Sequence, residues 1–483
     1  MAELDRRTTA HNLMDSYYTG ACPLPAAIVR ARVTKAYRML MPMAEAPWGS
    51  LVVDSVTDRL EVSGIRSPKG GEKQDEAVWG VWQDNQMDAE SKLAHSASLM
   101  SGRSFALVQP MPDASPEISL DGPDQMVVMY RHGSRRHRVA ALRRWLEDDD
   151  SVYATLYRPD GVFKFQRSRK QDDSSRAGGR FRVGGDWWEP RGETNADWQL
   201  PNPLQRNGVG VVPVVELPVN RRLKPGPFGY ARGEYEHSTG LIDRINLLTF
   251  LGLVVAFWQG FPLRGVIGQQ IDWEFLKDDD GNQLFESDGT TERRRARPPF
   301  KSMADEAFML EDPTAKLAEF AAADRKNLSV LEELGQLAMI TKTPRHYFPM
   351  AGGFSNLSAD AIRADEGGLN AKVVAHKASL GEGHEETLRV AGLALPDPVY
   401  LSPRASLLWQ NHEARSMAEM ADAAIKLKDL LPLQVIWTRF LNATQEDANL
   451  WATMMADDVL GQLLAAAAEP VAKTVDAPVA VTA

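Results

Sequence analysis

Residues 341–362 read TKTPRHYFPMAGGFSNLSADAI, and the reading of this stretch decides the fold. Helical sequence stands on both sides of it. DRKNLSVLEELGQLAMI (Asp324 to Ile340) comes before, and SADAIRADEGGLNAKVVAHKASLGEGHEETLRVAGLAL (Ser358 to Leu395) follows. Pro344 stops the incoming helix, because proline lacks the N–H donor and restricts the residue before it. Gly352 and Gly353 permit a turn that other side chains would obstruct. Ser358 is placed to cap the outgoing helix, with Asp360 favourable in its first turn. A loop carrying Arg345, His346, Tyr347 and Phe348 is thereby set between two helices.

Working outward, the first flanking helix is preceded by a β-rich insert, Leu263 to Ala323. It contains DDDGNQLFESDG and the basic cluster ERRRARPP. Ahead of the insert lies EYEHSTGLIDRINLLTFLGLVVAFWQ, Glu234 to Gln259. As a helix it spans roughly 26 residues, or about 39 Å. Leu241, Ile245, Leu248 and Val255 fall near one stripe. Leu247, Phe250, Leu251 and Val254 widen it until little polar face is left. A helix that is apolar nearly all round needs cover on nearly all sides, and neighbouring subunits are one way to supply it. So a long helix leaves, a small module follows, and a helix returns to the loop.

The first ~110 residues read as a compact α/β unit. LDRRTTAHNLMDSYY suits a helix with Leu4, Leu13 and Tyr17 on related faces. Val52, Val56 and Leu60 recur at helical spacing before the strand LEVSGI. Two helices follow, with Trp79 and Trp82 three apart, and then the strand RSFALVQP, closed by Pro110. From about 115 to 220 the alternation predicts antiparallel strands, with RPDG (Arg158 to Gly161) as a hairpin turn.

The chain has 483 residues, 43% hydrophobic and 25% charged, and a formal net charge of −10. The length predicts several domains or an elaborated subunit of an assembly. The acidic balance argues against a surface built to grip nucleic acid, which needs clustered Lys and Arg. The lone cysteine, Cys22, excludes an intrachain disulfide and fits a buried thiol in a cytosolic setting. The N-terminal residues lack the apolar core of a signal peptide. The longest apolar run, Leu247 to Trp258, is shorter than the ~18 residues a span needs, so no membrane is expected.

Motifs of catalysis fail one by one. With Gly281 in the sixth place of a calcium loop, Leu276 and Ser287 occupy positions that need carboxylates. His384 in GEGHEETL lacks the His-Glu-x-x-His spacing of zinc sites and reads as helix surface. GGFSNL follows a nucleophile elbow only as far as Ser355. No phosphate loop of the Gly-x-x-x-x-Gly-Lys type is present, and NGVGVVP lacks the third glycine of a dinucleotide fold. Neither enzyme chemistry, a cofactor nor a metal is expected.

The order of features resembles the portal proteins of tailed bacteriophages, in particular the siphophage type found in phages of actinobacteria. The resemblance is carried by YYTGACPLP at Tyr17, VVDSVTDRLEVSGIR (Val52 to Arg66) and WQDNQMDAESKLAHSASLMSGRSFALV (Trp82 to Val108). It continues in GVGVVPVVELPVNR (Gly208 to Arg221), in Glu319 to Leu369, and in WQNHEARSMAEMADAAIKLK (Trp409 to Lys428). It implies an α+β portal fold with wing, stem, clip and crown regions, assembled into a ring of usually twelve copies.

On that resemblance residues 1–230 are wing, 231–260 the stem helix, 261–323 the clip and 324–341 the second stem helix. Residues 342–357 are the tunnel loop, 358–410 the long helix and its return to the wing, 411–466 crown-like helices, and 467–483 a disordered tail. Lys342, Arg345, His346, Tyr347, Phe348, Gly352, Gly353 and Asn356 would belong to the DNA channel. Alternatively, Tyr347 and Phe348 pack between subunits. Leu241, Ile245, Leu248, Leu251 and Val255 would form the stem interface. Arg293, Arg294, Arg295 and Arg297 would serve clip docking, or equally a solvated loop at a subunit contact.

The implied partners are other copies of the chain, the terminase large subunit, the head-tail adaptor, and the major capsid and scaffolding proteins. Double-stranded DNA would pass through without specific binding. The implied location is the portal vertex of the virion, with assembly in the host cytoplasm. Two rival readings are a hydrolase using Ser355 or His346 and a scaffold that grips DNA.

Overall fold

The structure, a computed structural model, describes residues 1–22, 39–66, 76–111, 115–146, 151–167, 181–183, 186–190, 207–223, 230–260, 264–267, 272–277, 294–297, 316–319, 329–348, 358–395, 406–410, 417–428, 430–439, 443 and 447–457. It is mixed α+β. The chain divides into two compact units. The first comprises Met1–Cys22, Pro47–Gly240 and Gly335–Ala483, and the second Pro23–Ala46 and Leu241–Leu334.

In the first unit, α1 (Ala2–Thr19) buries Leu4 and Tyr17 as its sequence predicts. Leu13 is 46% exposed, and Met14 takes the inward place instead. After α2 (Met41–Ala44), which belongs to the second unit, comes α3 (Trp48–Thr57). Val52, Val56 and Leu60 are all fully buried, at the predicted helical spacing. Strand β1 (Val62–Arg66), α4 (Glu76–Asp84), α5 (Met87–Ser101) and β2 (Arg103–Gln109) follow in the order read from the sequence.

Strand β2 is buried on both faces. Ala106 and Val108 pack with Trp79, Trp82 and Ile65, while Phe105 and Leu107 pack with Met126, Val128 and Tyr157. This is the alternation of side chains along a strand, with apolar cover on each side. Trp79 and Trp82 stack at 5.8 Å between ring centres. Strand β2 lies between β3 (Glu117–Asp121) and β10 (Val214–Pro218) in a three-stranded antiparallel sheet. Between β3 and β10 in sequence, β4 (Met126–Tyr130), β5 (Arg138–Leu146), β6 (Val152–Tyr157), β7 (Val162–Arg167), β8 (Phe181–Val183) and β9 (Asp186–Pro190) form a six-stranded sheet of order β4-β5-β6-β7-β9-β8. The RPDG turn joins β6 to β7, with the Arg158 N–H donating to Gly161 O at 2.9 Å.

The predicted exit helix starts later than its sequence suggested. Residues Glu236–Ser238 form a 3₁₀ turn, and α6 runs over Thr239–Gly260. In the second unit, Phe250 of α6 packs with Ala44, Leu40 and Met41. Strand β11 (Arg264–Ile267) pairs with β14 (Lys316–Glu319), and β12 (Asp272–Phe275) with β13 (Arg294–Arg297). Among the described residues the insert is stranded, as its sequence predicts. The calcium-loop candidate at 276–287 lies largely outside the described residues.

Helix α7 (Val330–Thr341) brings the chain back, and α8 (Ala359–Ala394) is 36 residues long. Strand β15 (Ser406–Trp409) then pairs with β1, closing a link of high sequence separation. Helices α9 (Met417–Leu427) and α10 (Leu433–Arg439) follow. Cys22 is buried, at 2% exposure.

One expectation fails outright. His384 is not on the helix surface but fully buried, with its Nε2 2.8 Å from Nε2 of His95. Trp82 lies edge-on to the His384 ring at 5.3 Å, and Trp409 lies 5.7 Å from His95. Sequence spacing missed this because the partner is supplied by α5, far away in the chain. Burial pushes the His384 imidazole down to about 4 and holds His95 well below its ordinary value. Both rings are therefore neutral in the fold, one donating and one accepting.

In the unfolded chain both rings protonate near pH 6.5, so stability falls as pH drops from there toward 4. For His384 alone the loss is on the order of 3 kcal/mol. Urea midpoints measured from pH 7.5 to 4.5 check this. His384→Gln, which keeps a polar partner for His95 but does not titrate, is expected to flatten that part of the profile. An unchanged slope would remove the pair from the acid response.

Candidate channel loop and its anchor

The approach to the loop is built from the end of α7. Thr341 Oγ1 donates to Leu337 O at 2.7 Å and lies 2.9 Å from Thr343 Oγ1. Lys342 takes a left-handed conformation, φ 54, which ends the helix. Pro344 then precedes a single 3₁₀ turn, Arg345–Tyr347. On the far side Ser358 caps α8 as predicted, its Oγ accepting from the Ala361 N–H at 3.2 Å.

The side chains between them do not share one environment. Lys342 and Arg345 are exposed. The Arg345 N–H donates to Asp365 Oδ2 at 2.7 Å, which ties the turn to the first part of α8. His346 lies beside two α8 carboxylates, with Nδ1 3.4 Å from Asp365 Oδ2 and Nε2 3.9 Å from Glu366 Oε1. Tyr347 Oη accepts from Arg59 Nη2 at 2.9 Å. Arg59 also donates to Ser55 O at 2.8 Å and pairs with Glu366 at 3.4 Å. Phe348 is 2% exposed and stacks on Trp48 at 6.1 Å.

This corrects the expectation for Phe348. Its side chain fills the interior of its own subunit, so it is neither a channel wall nor a contact between subunits. Arg59 and Trp48, both from the α3 region, hold the turn, and sequence reading did not select either. Gly352, Gly353 and Asn356 lie outside the described residues.

Behind the anchor sits a buried ionic cluster. Glu234 Oε1 is 2.7 Å from His376 Nε2 and accepts from Asn220 Nδ2 at 2.6 Å. Glu234 Oε2 is 3.0 Å from Lys372 Nζ. Lys372 also donates to Thr341 O at 2.7 Å, at the C-terminal end of α7. One carboxylate therefore joins the segment before α6 to the middle of α8, and through Lys372 to the end of α7. Burial pushes the Glu234 carboxyl up. The His376 hydrogen bond and the Lys372 charge outweigh that and hold it far below the usual carboxylate range. Burial lowers Lys372, against the opposing pull of Glu234.

Two glycines make the placement of Glu234 possible. A Cβ on Gly233 would lie 2.1 Å from Met100 O, and one on Gly102, φ +88, would lie 2.7 Å from Arg232 N. Only bare backbone fits where the segment before Glu234 crosses the end of α5. The signal for this site was present in the sequence as Lys372 and His376, four apart on one helix face.

The stem positions also separate. Ile245 is fully buried within the chain, which corrects its place in the subunit interface. Leu241, Leu248 and Val255 are partly exposed, and Leu251 is 40% exposed. Among the described residues, Glu236–Phe257 is one stretch long and apolar enough to cross a membrane, with only 28% of its most apolar window buried. Strict counting of the apolar run had put it below that length. The longer stretch takes in the adjacent charged pair Asp243 and Arg244 and the polar Asn246 ahead of the apolar run.

Of the arginines expected to serve clip docking, Arg294, Arg295 and Arg297 lie on strand β13 rather than in a loop. Arg295 stands opposite Glu274 and Arg297 opposite Asp272 in register. The Arg294 guanidinium lies 4.6 Å over the Trp273 ring. Arg293 is outside the described residues.

The sequence model of the family described as phage portal protein, SPP1 Gp6-like, matches residues 2–459. The chain belongs to this family. The portal protein of Mycobacterium phage L5 is 28% identical over 418 residues, covering 82% of this chain and 74% of that protein. The portal protein of Mycobacterium phage D29 is 27% identical over 414 residues, covering 82% and 75%. Among solved structures, the neck of an empty gene transfer agent particle is similar at 11% identity and a TM-score of 0.41, over 86% of this chain and 97% of that one. A native gene transfer agent virion gives 12% and 0.40, over 86% and 96%. Portal proteins are structural components of the virion, not enzymes, so the hydrolase reading falls.

Proposed function

We propose that the chain forms the ring-shaped channel at the unique capsid vertex, through which terminase packages the genome and through which the genome later leaves. The family match over residues 2–459 carries this reading. In it, α6 and α7 are the stem, the β11–β14 insert is the clip that docks terminase and the head-tail adaptor, and residues 342–357 are the tunnel loop. Capsid and scaffolding proteins would meet the ring during assembly in the host cytoplasm.

The exposed apolar face of α6 is the surface a neighbouring copy would cover. Leu251→Asp is expected to abolish or strongly reduce ring formation, since it places an unpaired charge in an apolar contact. Negative-stain images and native mass of the purified protein test both claims. Rings of about twelve wild-type copies support the reading, whereas a wild-type monomer or dimer overturns it. Unchanged rings in Leu251→Asp would remove that face of α6 from the interface.

A further inference from the structure

The turn joining β4 to β5 reads RHGSRRHR, Arg131 to Arg138, in a chain of net charge −10. It holds four arginines and two histidines, and no carboxylate or lysine. Arg131, His132, Arg135, Arg136 and His137 are all exposed. The turn is ordered by its own hydrogen bonds. The Arg131 N–H donates to His137 O at 2.8 Å, and Ser134 Oγ accepts from the N–H groups of Arg136 and His137 at 3.2 and 3.1 Å. Gly133, φ 79, supplies the left-handed position that closes it.

A second basic segment lies against it. Arg135 Nη2 donates to Leu223 O at 3.2 Å, and its guanidinium lies 4.7 Å over the Tyr230 ring. Arg221 and Arg222, just before Leu223, are exposed. Two carboxylates of this region are engaged elsewhere, and a third, Glu236, accepts from the Gly233 N–H at 3.2 Å and lies within electrostatic reach of Arg222. Glu386 pairs with Arg138 and Arg389, and Glu216 with Arg103 and Tyr130. Among the described residues, Arg131, Arg135 and Arg136 form no ion pair.

We propose that this turn, with Arg221 and Arg222, is a docking surface for the phosphate backbone of double-stranded DNA. Guanidinium groups match phosphate as two-pronged donors, and a turn held by its own hydrogen bonds presents them at little cost in ordering. A docking site for a folded acidic protein needs an apolar centre shielded from water. Here the turn itself has none, and only Leu223 and Tyr230 stand at its edge. The choice of duplex DNA rests on the portal reading. The surface is separate in sequence from the proposed channel loop, and a few phosphate contacts hold DNA weakly enough to release it.

The test is fluorescence anisotropy of purified full-length protein with a labelled random-sequence duplex between 50 and 200 mM NaCl. The three turn arginines, at one phosphate contact each, contribute about −2.7 to the slope of log affinity against log salt, so wild-type affinity should fall at least about 40-fold over that range. The triple variant Arg131→Gln, Arg135→Gln, Arg136→Gln should lose most of that slope while keeping wild-type thermal stability and ring mass. Equal slopes for variant and wild type overturn the proposal, as does a wild-type protein that binds no duplex at 50 mM. Loss of rings in the variant overturns it in favour of a contact between copies. Stronger competition by polyglutamate than by duplex overturns it in favour of an acidic protein. Failure of the wild-type chain to form rings sinks the portal reading separately, and the anisotropy comparison still reads the turn.

Discussion

Replacing Glu234 by alanine is expected to destabilise the fold by about 3–5 kcal/mol, because it leaves a buried ammonium and a buried imidazole without their shared carboxylate. A typical domain has only about 5–15 kcal/mol in total, so much of the variant should be unfolded or insoluble at 37 °C. Glu234 is 5% exposed, and Lys372 and His376 both point to it. Glu234→Gln should cost less, since an amide oxygen can still accept from Asn220 or His376 but cannot neutralise Lys372. The wild-type contribution has a defined pH sign. A carboxyl held below its unfolded value stabilises above about pH 4.5, and that stability is lost as pH falls further. Urea unfolding at pH 7.5 measures the ranking, and an alanine variant within about 0.5 kcal/mol of wild type would show that the cluster contributes little.

Gly352→Pro together with Gly353→Pro is expected to leave assembled rings that fail to package or retain DNA. Proline fixes φ near −65° and cannot take the left-handed conformations glycine allows. The anchor should survive, because Arg345, Tyr347 and Phe348 are held by Asp365, Arg59 and Trp48. On the portal reading Arg345→Glu should do less damage, because one exposed charge facing a wide aqueous channel would be screened within about 10 Å. Packaged genome per assembled ring, measured in a complementation assay, separates the outcomes. Normal packaging in the proline variant removes the loop from the mechanism. Loss of rings makes it a structural contact instead.

The positions where reading and structure part have a common physical cause. Phe348 and Arg345 are three residues apart in one short segment, and nothing local says that one is buried and the other exposed. Trp48 decides it, from a helix three hundred residues earlier in the chain. Ile245 and Leu251 look equivalent on an apolar helix, yet one is fully buried and the other 40% exposed. His384 sits in a charged stretch that suggests solvent, but α8 turns it onto His95. The basic turn Arg131–Arg138 was legible as a charge run between two strands. Average acidity had argued against any grip on nucleic acid, and a mean says nothing about a local patch.

By itself the sequence determined what depends on near neighbours along the chain. Ser358 set the start of α8, Val52 and Val56 the inward face of α3, and RPDG a hairpin, because caps, periodicity and turn chemistry act over a few residues. The ordered set of segments also determined the family. Only the tertiary structure decided which of these residues share a site. Glu234, Asn220, Lys372 and His376 meet across more than a hundred residues, and Arg59 reaches Tyr347 across almost three hundred. Burial and partner choice are properties of the packed chain. An isolated segment carries the side chain but not the low-dielectric surroundings that make its pairing compulsory.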